Sequence, residues 1–448
     1  MRTLLGKWQA AGWALLLGLA PLVSEAREKE TRPNLLVILA DDLGWGDVGF
    51  NGRKEWATPS LDRLASRGMI LNRCYAAAPI CGPSRACLLT GKYSIHHGVI
   101  RNDQDLPAAE VTIAEALRAR GYRSALVGKW QHGKPRPGRE EPVHPLDQGF
   151  DEFFGYTNSY EAMEKFPTTL WEGRDHVEVS GYIDDLITDR AIRFLDGVKG
   201  GPFFLDVSYL APHFTIAAPA DEVARHAGKF PEANSAYPLS ATYAAMVTRL
   251  DRNIGRLLDE LERRGLASNT LVVFASDNGA TFEFASQGTS AALDSNRPLR
   301  GQKRTLWEGG IRIPAVVSWP GQIPAGKPSD EVVSLVDLMP TFLAAAGASL
   351  DPAWKLDGVD LLPALARGGH VPSRTLFWEW RQENANQLAA IRGDFKLLIQ
   401  NGGKPELYDV AADVSERRDV SAIFPQVAKD LRGELDRWLA SEDPRCRE

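Results

Sequence analysis

The sequence lacks most of what would staple a small fold or tie a protein to nucleic acid or membrane. Four cysteines among 448 residues are too few for a disulfide scaffold, so an apolar core must hold the fold. No CxxC pair and no nearby histidine pair completes a tetrahedral zinc set. The formal net charge of −6 supplies no basic excess for neutralising phosphates, which argues against a nucleic-acid binder. After position 30 no apolar run is long enough to span a bilayer. The chain shows no internal repeats and no low-complexity segments, which removes solenoids and tails from consideration.

What is present is an ordinary globular composition, 44% hydrophobic and 25% charged, long enough for one large domain or two. The first residues differ from the rest. "MRTLLGKWQAAGWALLLGLAPLVSEA" has Arg2 and Lys7, an apolar stretch from Ala10 to Val23, and small residues at Ser24 and Ala26. This is the pattern of a secretory signal over residues 1–26, with Pro21 weakening the alternative of an anchor helix. It predicts export to the periplasm or the extracellular space. No cysteine stands at the cleavage position to take a lipid anchor. In an exported chain the four cysteines invite pairing, with Cys74, Cys81 and Cys87 crowded together and Cys446 near the C-terminus.

"NLLVILADD" (34–42) is a continuous apolar run ending in two carboxylates, as a buried parallel strand does when functional residues sit at its carboxyl end. "TIAEALRARGYRSALVGKW" repeats the pattern, with an amphipathic helix, a stop at Gly121 and a strand ending at Lys129. Residues 240–262 form a longer helix before "NTLVVFASDNG", and "GPFFLDVSYLAPH" is a further strand ending in polar residues. The alternation predicts an α/β fold: a large, mostly parallel sheet sandwiched by helices, with one site along its carboxyl edge. From about residue 370 short strand-like runs follow one another, then a helix near 424–440. They predict a small antiparallel-sheet subdomain carrying one helix. The expected domains are 33–368 for the main unit and 369–448 for the C-terminal one.

Asp41, Asp42, Asp277 and Asn278 are hard oxygen ligands at two strand ends, a set suited to calcium or magnesium. Each pair alone also reads as a strand cap or a turn, so only the two together carry weight. Arg85, Lys129 and Lys303 offer one planar fork and two point charges for an anion's oxygens. His213, in "APH", could move a proton. With a divalent ion added, the positive charges exceed the three aspartates, so such a cluster is built for an anionic ester.

"CGPSRACLLTG" (81–91) resembles the signature of type I sulfatases of the alkaline phosphatase superfamily, arylsulfatase A among them. "LADDLGWGDVG", "TPSLDRLASRG", "LDQGFDEFFGY", "FASDNG", "LRGQKRTLWEGGIRIP" and "ELYDV" follow in the family's order, and the likeness spans nearly the whole chain after the leader. The resemblance implies that a formylglycine-generating enzyme oxidises Cys81 to 3-oxoalanine, whose gem-diol, activated by a divalent metal, attacks the sulfur of a sulfate monoester. The second diol hydroxyl then loses its proton and sulfate is expelled. By the same resemblance Asp41, Asp42, Asp277, Asn278 and modified Cys81 hold the metal, which is calcium or magnesium. Arg85 holds the formylglycine, Lys129 and Lys303 contact the sulfate oxygens, and His213 protonates the leaving alcohol. The implied substrate is a sulfated glycan or an aryl sulfate. Tryptophans such as Trp171, Trp354, Trp378 and Trp380 are available for sugar stacking or for packing. A phosphate or phosphonate monoester hydrolase on the same scaffold, or a non-catalytic glycan-binding relative, are the alternatives.

One position departs from the family. "GKWQHG" (128–133) places Gln131, a substrate-binding candidate, where a histidine commonly assists the second step, and glutamine cannot take a proton at neutral pH. His132 is adjacent, but neighbours on an extended segment point to opposite sides. Fast attack and slow sulfate release are therefore expected. Rapid mixing with an aryl sulfate should show a burst of alcohol of about one equivalent per site before a slower steady state. A linear time course from the first turnover would make Gln131 a neutral replacement.

Overall fold

The apolar run after Pro33 becomes β1 (Asn34–Asp41), and every one of its residues is buried. The computed structural model describes residues 32–133, 143–198, 200–282, 286–382 and 385–447; the expected signal, residues 1–26, lies outside them. β1 runs through the middle of a nine-stranded sheet. Its other members are β2 (Met69–Ile70), β3 (Arg123–Lys129), β4 (Glu152–Tyr156), β5 (Thr169–Glu172), β6 (Asp175–Glu178), β7 (Phe203–Pro212), β8 (Thr270–Ser276) and β9 (Ala315–Ser318). The spatial order is β2-β9-β8-β1-β7-β3-β4-β5-β6. The central strands β8, β1, β7, β3 and β4 are parallel, and antiparallel strands flank them on both sides.

Successive residues of β1 face opposite sides of the sheet, so both sides must be covered. Leu36, Ile38 and Ala40 pack into one apolar layer with α1 (Pro59–Arg67), and Leu35, Val37 and Leu39 into another with α2 (Cys81–Thr90). The first layer also takes α3 (Ile183–Asp196) and α4 (Ser240–Arg263). In α4 the buried Tyr243, Val247, Leu250, Ile254, Leu257 and Leu261 recur at three- and four-residue spacing, the stripe a core-facing helix needs. Asp251 of α4 caps α1, accepting from the backbone nitrogens of Ser60 and Leu61 at 3.0 and 2.8 Å.

The C-terminal segment is a four-stranded antiparallel sheet in chain order, β10 (Leu376–Gln382), β11 (Ala385–Arg392), β12 (Phe395–Gln400) and β13 (Glu406–Asp409). Helix α5 (Pro425–Leu439) lays Leu431, Leu435 and Trp438 in one apolar cluster with Ala390 and Leu397 of that sheet. The α/β fold with its antiparallel appendage agrees with the sequence reading. Disulfide pairing does not: Cys74, Cys81, Cys87 and Cys446 are all free and buried. Each thiol has its own surroundings. Cys87 Sγ lies 3.3 Å from His97 Nε2, and Cys446 Sγ faces the Ile95 carbonyl at 3.4 Å.

A buried charge group ties the second sheet to the segments before it. Lys396 of β12 places Nζ 3.1 Å from Glu308 and 2.8 Å from Glu416, with all three side chains fully buried. Tyr75 donates to the other Glu308 oxygen at 2.9 Å, and the Glu308 nitrogen donates to Glu416 at 2.7 Å. Burial pushes Glu416 up to about 7 despite Lys396. Replacing Lys396 by methionine strands two buried carboxylates, a loss of about 3–5 kcal/mol for a broken buried pair. Lys396→Met should therefore lower the midpoint of chemical denaturation clearly. An unchanged midpoint would show that the group does not brace the fold.

Candidate active site

The site forms where the parallel strands end. Asp41 closes β1, and Asp42 follows at φ 63, in the left-handed region. The chain turns there because Asp42 N donates to Asp277 Oδ1 at 3.1 Å and Leu43 N donates to Ser276 Oγ at 3.0 Å. Asp277 in turn donates its backbone nitrogen to Ala40 O at 3.1 Å, so adjacent strand ends are locked together. Asn278 Nδ2 donates to Asp42 Oδ1 at 2.7 Å. The glycine after it is required by packing: a Cβ on Gly279 would lie 1.8 Å from Gly309 O.

Each aspartate meets one cation brought from elsewhere in the chain. Lys129, at the end of β3, puts Nζ 2.5 Å from Asp41 Oδ2. Gly128 before it has φ +119, and a Cβ there would sit 1.9 Å from Ser208 O, so only glycine lets β3 deliver Lys129 against β7. Lys303 Nζ is 2.8 Å from Asp42 Oδ1. Arg85 donates from Nε to Asp277 Oδ2 at 2.9 Å and from Nη1 to Lys129 O at 3.2 Å. All six charged groups are buried. Burial opposes ionisation of Asp41, but His213, Lys129, Arg85 and Lys303 hold it well below the usual carboxylate range. Burial and the Asp41 charge push Asp277 up to about 7.

Cys81 opens α2, and its carboxylate neighbours are close: ligand atoms of Asp41, Cys81 and Asp277 all lie within 4.8 Å of one another. A second such group is Asp41, Asp42 and His213. His213 Nδ1 donates to the Phe214 carbonyl, leaving Nε2 3.8 Å from Asp42 Oδ2. Burial is the main reason its pKa falls to about 3, against the pull of Asp41 and Asp42. Two buried oxygens, Asp41 Oδ1 and Asn278 Oδ1, accept no hydrogen bond among the described residues. Unsatisfied buried oxygens beside three carboxylates fit a hard divalent cation.

The structure thus gathers Asp41, Asp42, Cys81, Arg85, Lys129, His213, Asp277, Asn278 and Lys303 into one site. Gln131 stands apart in character. It is buried at φ 85, and neither its amide oxygen nor its amide nitrogen has a hydrogen-bond partner among the described residues. The segment is therefore kinked there rather than extended, which corrects the expected alternation with His132. The His132 ring packs edge-on against Trp130 at 5.3 Å, and burial, with Arg85 adding, lowers it to about 3.

Two residues had no sequence signal. Asn102 holds its amide nitrogen 3.3 Å from Cys81 Sγ, and its amide oxygen accepts from Gly82 N at 2.8 Å. Lys165 is buried, donates to Ala162 O at 2.9 Å, and is lowered to about 8, chiefly by burial, with Asp41, Asp184 and Asp42 opposing. Both lie in irregular segments where neither periodicity nor motif marks them.

Residues 33–348 match the Sulfatase family, and residues 301–441 match N-sulphoglucosamine sulphohydrolase, C-terminal. The chain is similar to N-acetylgalactosamine-6-sulfatase of Canis lupus familiaris, with 34% identity over 406 residues covering 82% of this chain and 72% of that protein. It is similar to Arylsulfatase G of Mus musculus at 33% over 427 residues, 82% of this chain and 77% of that one. Among solved structures, Ps i-CgsB in complex with k-i-k-neocarrahexaose superposes with a TM-score of 0.84 at 31% identity, covering 93% of this chain and 94% of that chain.

The donor set makes metal binding measurable without turnover. Calcium added to chelator-treated protein should raise the thermal midpoint, because a ligand at a hundred times its Kd stabilises the folded state by about 2.7 kcal/mol. Asp277→Ala should lose most of that shift. A shift kept in full by the variant would locate the ion elsewhere.

Proposed function

The chain belongs to the sulfatase family and is a sulfuric ester hydrolase, and from that premise we propose that it removes sulfate from a sulfated carbohydrate at Cys81. Family membership implies a divalent metal and a formylglycine. The observation that carries the reading is the meeting of Cys81, three strand-end aspartates and three cations in one buried cluster. In this proposal Asp41, Asp42, Asp277 and Asn278 hold the ion, and calcium is the ion of choice for so many hard oxygen donors. The groups not carried by the chain itself supply Lewis-acid polarisation from the ion and a hydrated aldehyde as oxygen nucleophile.

The chain's own residues do the rest. Arg85, fixed by Asp277 and by the Lys129 carbonyl, keeps a permanent positive charge beside residue 81. Lys129 and Lys303, far apart in the sequence, offset the charge that grows on the sulfate oxygens. His213, oriented by the Phe214 carbonyl, presents Nε2 and exchanges a proton with the alcohol oxygen. Sugar-processing relatives support the carbohydrate reading: N-acetylgalactosamine-6-sulfatase by its name, and Ps i-CgsB by the neocarrahexaose in its complex. The proposal assigns catalysis to residues 33–368, with 369–448 walling one side of the cleft. It also includes export to the periplasm or beyond and maturation by a formylglycine-generating enzyme. Among the described residues no helix is long and apolar enough to cross a membrane.

Protein matured with that enzyme should release inorganic sulfate from a sulfated sugar and prefer an aryl sulfate to the matching aryl phosphate. Cys81→Ala should abolish release while leaving the fold intact. Lys303→Ala should lower kcat/KM about a hundredfold, the typical cost of removing one aimed electrostatic donor. Near-normal release by Cys81→Ala would contradict its role as nucleophile precursor, and a loss below about threefold for Lys303→Ala would place that lysine outside the reaction.

A further inference from the structure

Lys165 is buried, 2% exposed, and the hydrogen bonds of its amine go to two backbone carbonyls. Nζ donates to Ala162 O at 2.9 Å and reaches Phe214 O at 3.5 Å, the long end of hydrogen-bond range. Burying an amine costs folding free energy, so a lysine held this way beside a reaction site invites a functional reading.

The Phe214 carbonyl is also the acceptor for His213 Nδ1. One oxygen therefore meets both the Lys165 amine and the imidazole that presents Nε2 to the site. The Phe214 ring stacks on the His213 ring, with centres 4.1 Å apart and planes at 27°. The other end of this turn is held as well. His213 N donates to Leu210 O at 2.9 Å, and Leu210 N donates to Asp184 Oδ1 at 2.9 Å. Asp184 lies in the first turn of α3 and is fully buried. Burial pushes its carboxyl up to about 6, with the Leu210 N–H and the Lys165 charge pulling the other way. Ile183, the residue before it, donates its backbone nitrogen to Lys165 O at 3.0 Å. Lys165 and Asp184 are thus joined through the Ile183 backbone, and between them they hold both ends of the segment 210–214 that carries His213.

We propose that Lys165 is a positioning residue for proton transfer to the leaving group: its amine fixes the Phe214 carbonyl, and that carbonyl fixes the His213 ring with Nε2 towards the departing oxygen. The proposal rests on the reading of His213 as the group that protonates the alcohol. A positioned acid matters in proportion to the basicity of the oxygen it serves. A nitrophenolate departs with little help from a proton, whereas a phenolate or an alkoxide needs more. Small displacements of a catalytic group are costly, so loosening the carbonyl should slow the demanding esters first. A lysine that only braced the backbone at Ala162 would affect every ester alike.

The test is a leaving-group series, from 4-nitrophenyl sulfate to phenyl sulfate, on protein matured with a formylglycine-generating enzyme. Its readout is the ratio of kcat/KM on phenyl sulfate to that on 4-nitrophenyl sulfate. His213→Gln should lower this ratio about tenfold or more. Lys165→Met keeps the length of the side chain but loses the donor, and should lower the ratio in the same sense by about tenfold. Lys165→Gln keeps an N–H donor, should retain part of the ratio, and serves if Lys165→Met does not fold. Combining His213→Gln with Lys165→Met should lower the ratio no further than His213→Gln alone, because Lys165 acts through His213. Equal losses on both esters in the Lys165 variants, no loss on either, or a fall in the ratio that adds to that of His213→Gln overturns this inference alone. An equal loss on both esters in His213→Gln removes the proton donor itself, and this inference with it.

Discussion

Three buried aspartates and three buried cations in direct contact are the constraint on which the rest of the structure depends. Asp41 pairs with Lys129, Asp42 with Lys303 and Asp277 with Arg85, and none of the six side chains has significant solvent access. Buried pairs of this kind seldom stabilise a fold beyond what apolar residues would, while losing one partner is costly. In the proposed reading their value is functional. The cluster is close to neutral as built, so a divalent cation bound there would leave a net positive charge that favours an anionic ester. Because the partners come from β1, α2, β3, the end of β8 and the loop carrying Lys303, those segments must converge before any pair forms.

The C-terminal sheet serves that convergence. Gln387 of β11 donates to the carbonyl of Arg304 at 3.1 Å and accepts from Leu306 N at 2.9 Å. Lys396 of β12 anchors Glu308 a few residues later. Trp378 of β10 donates to Ala76 O at 2.8 Å, close in sequence to Cys81, and its full burial makes it a packing residue, not a sugar platform. The loop between these anchors carries Lys303 into the charge cluster. Lys303 and the residues that follow it are thus braced by one sheet.

Much of this was legible beforehand, and the reasons divide cleanly. Strands such as "NLLVILADD" announce themselves because both faces of a central parallel strand are buried, and polar residues at their ends can only be functional or capping. The amphipathic stripe of α4 is equally plain. Asn102 and Lys165 were invisible because each is a single polar residue in an irregular stretch, made important only by contacts many residues away. Which cation meets which aspartate is likewise a tertiary fact. The cysteines misled because crowding in sequence does not bring thiols together: Cys74, Cys81 and Cys87 are packed in three different apolar clusters. The substitution at Gln131 was readable, but the left-handed turn it occupies was not, since glutamine carries no turn preference of its own.

The central claim is that Cys81 serves as the precursor of the nucleophile and not as a thiol. Mass spectrometry of the peptide containing Cys81, run on preparations made with and without a formylglycine-generating enzyme, tests it most directly when each is also assayed for sulfate release. The predicted result is an aldehyde in place of the thiol and release in proportion to the fraction converted. Full release from protein whose Cys81 remains a thiol would contradict it.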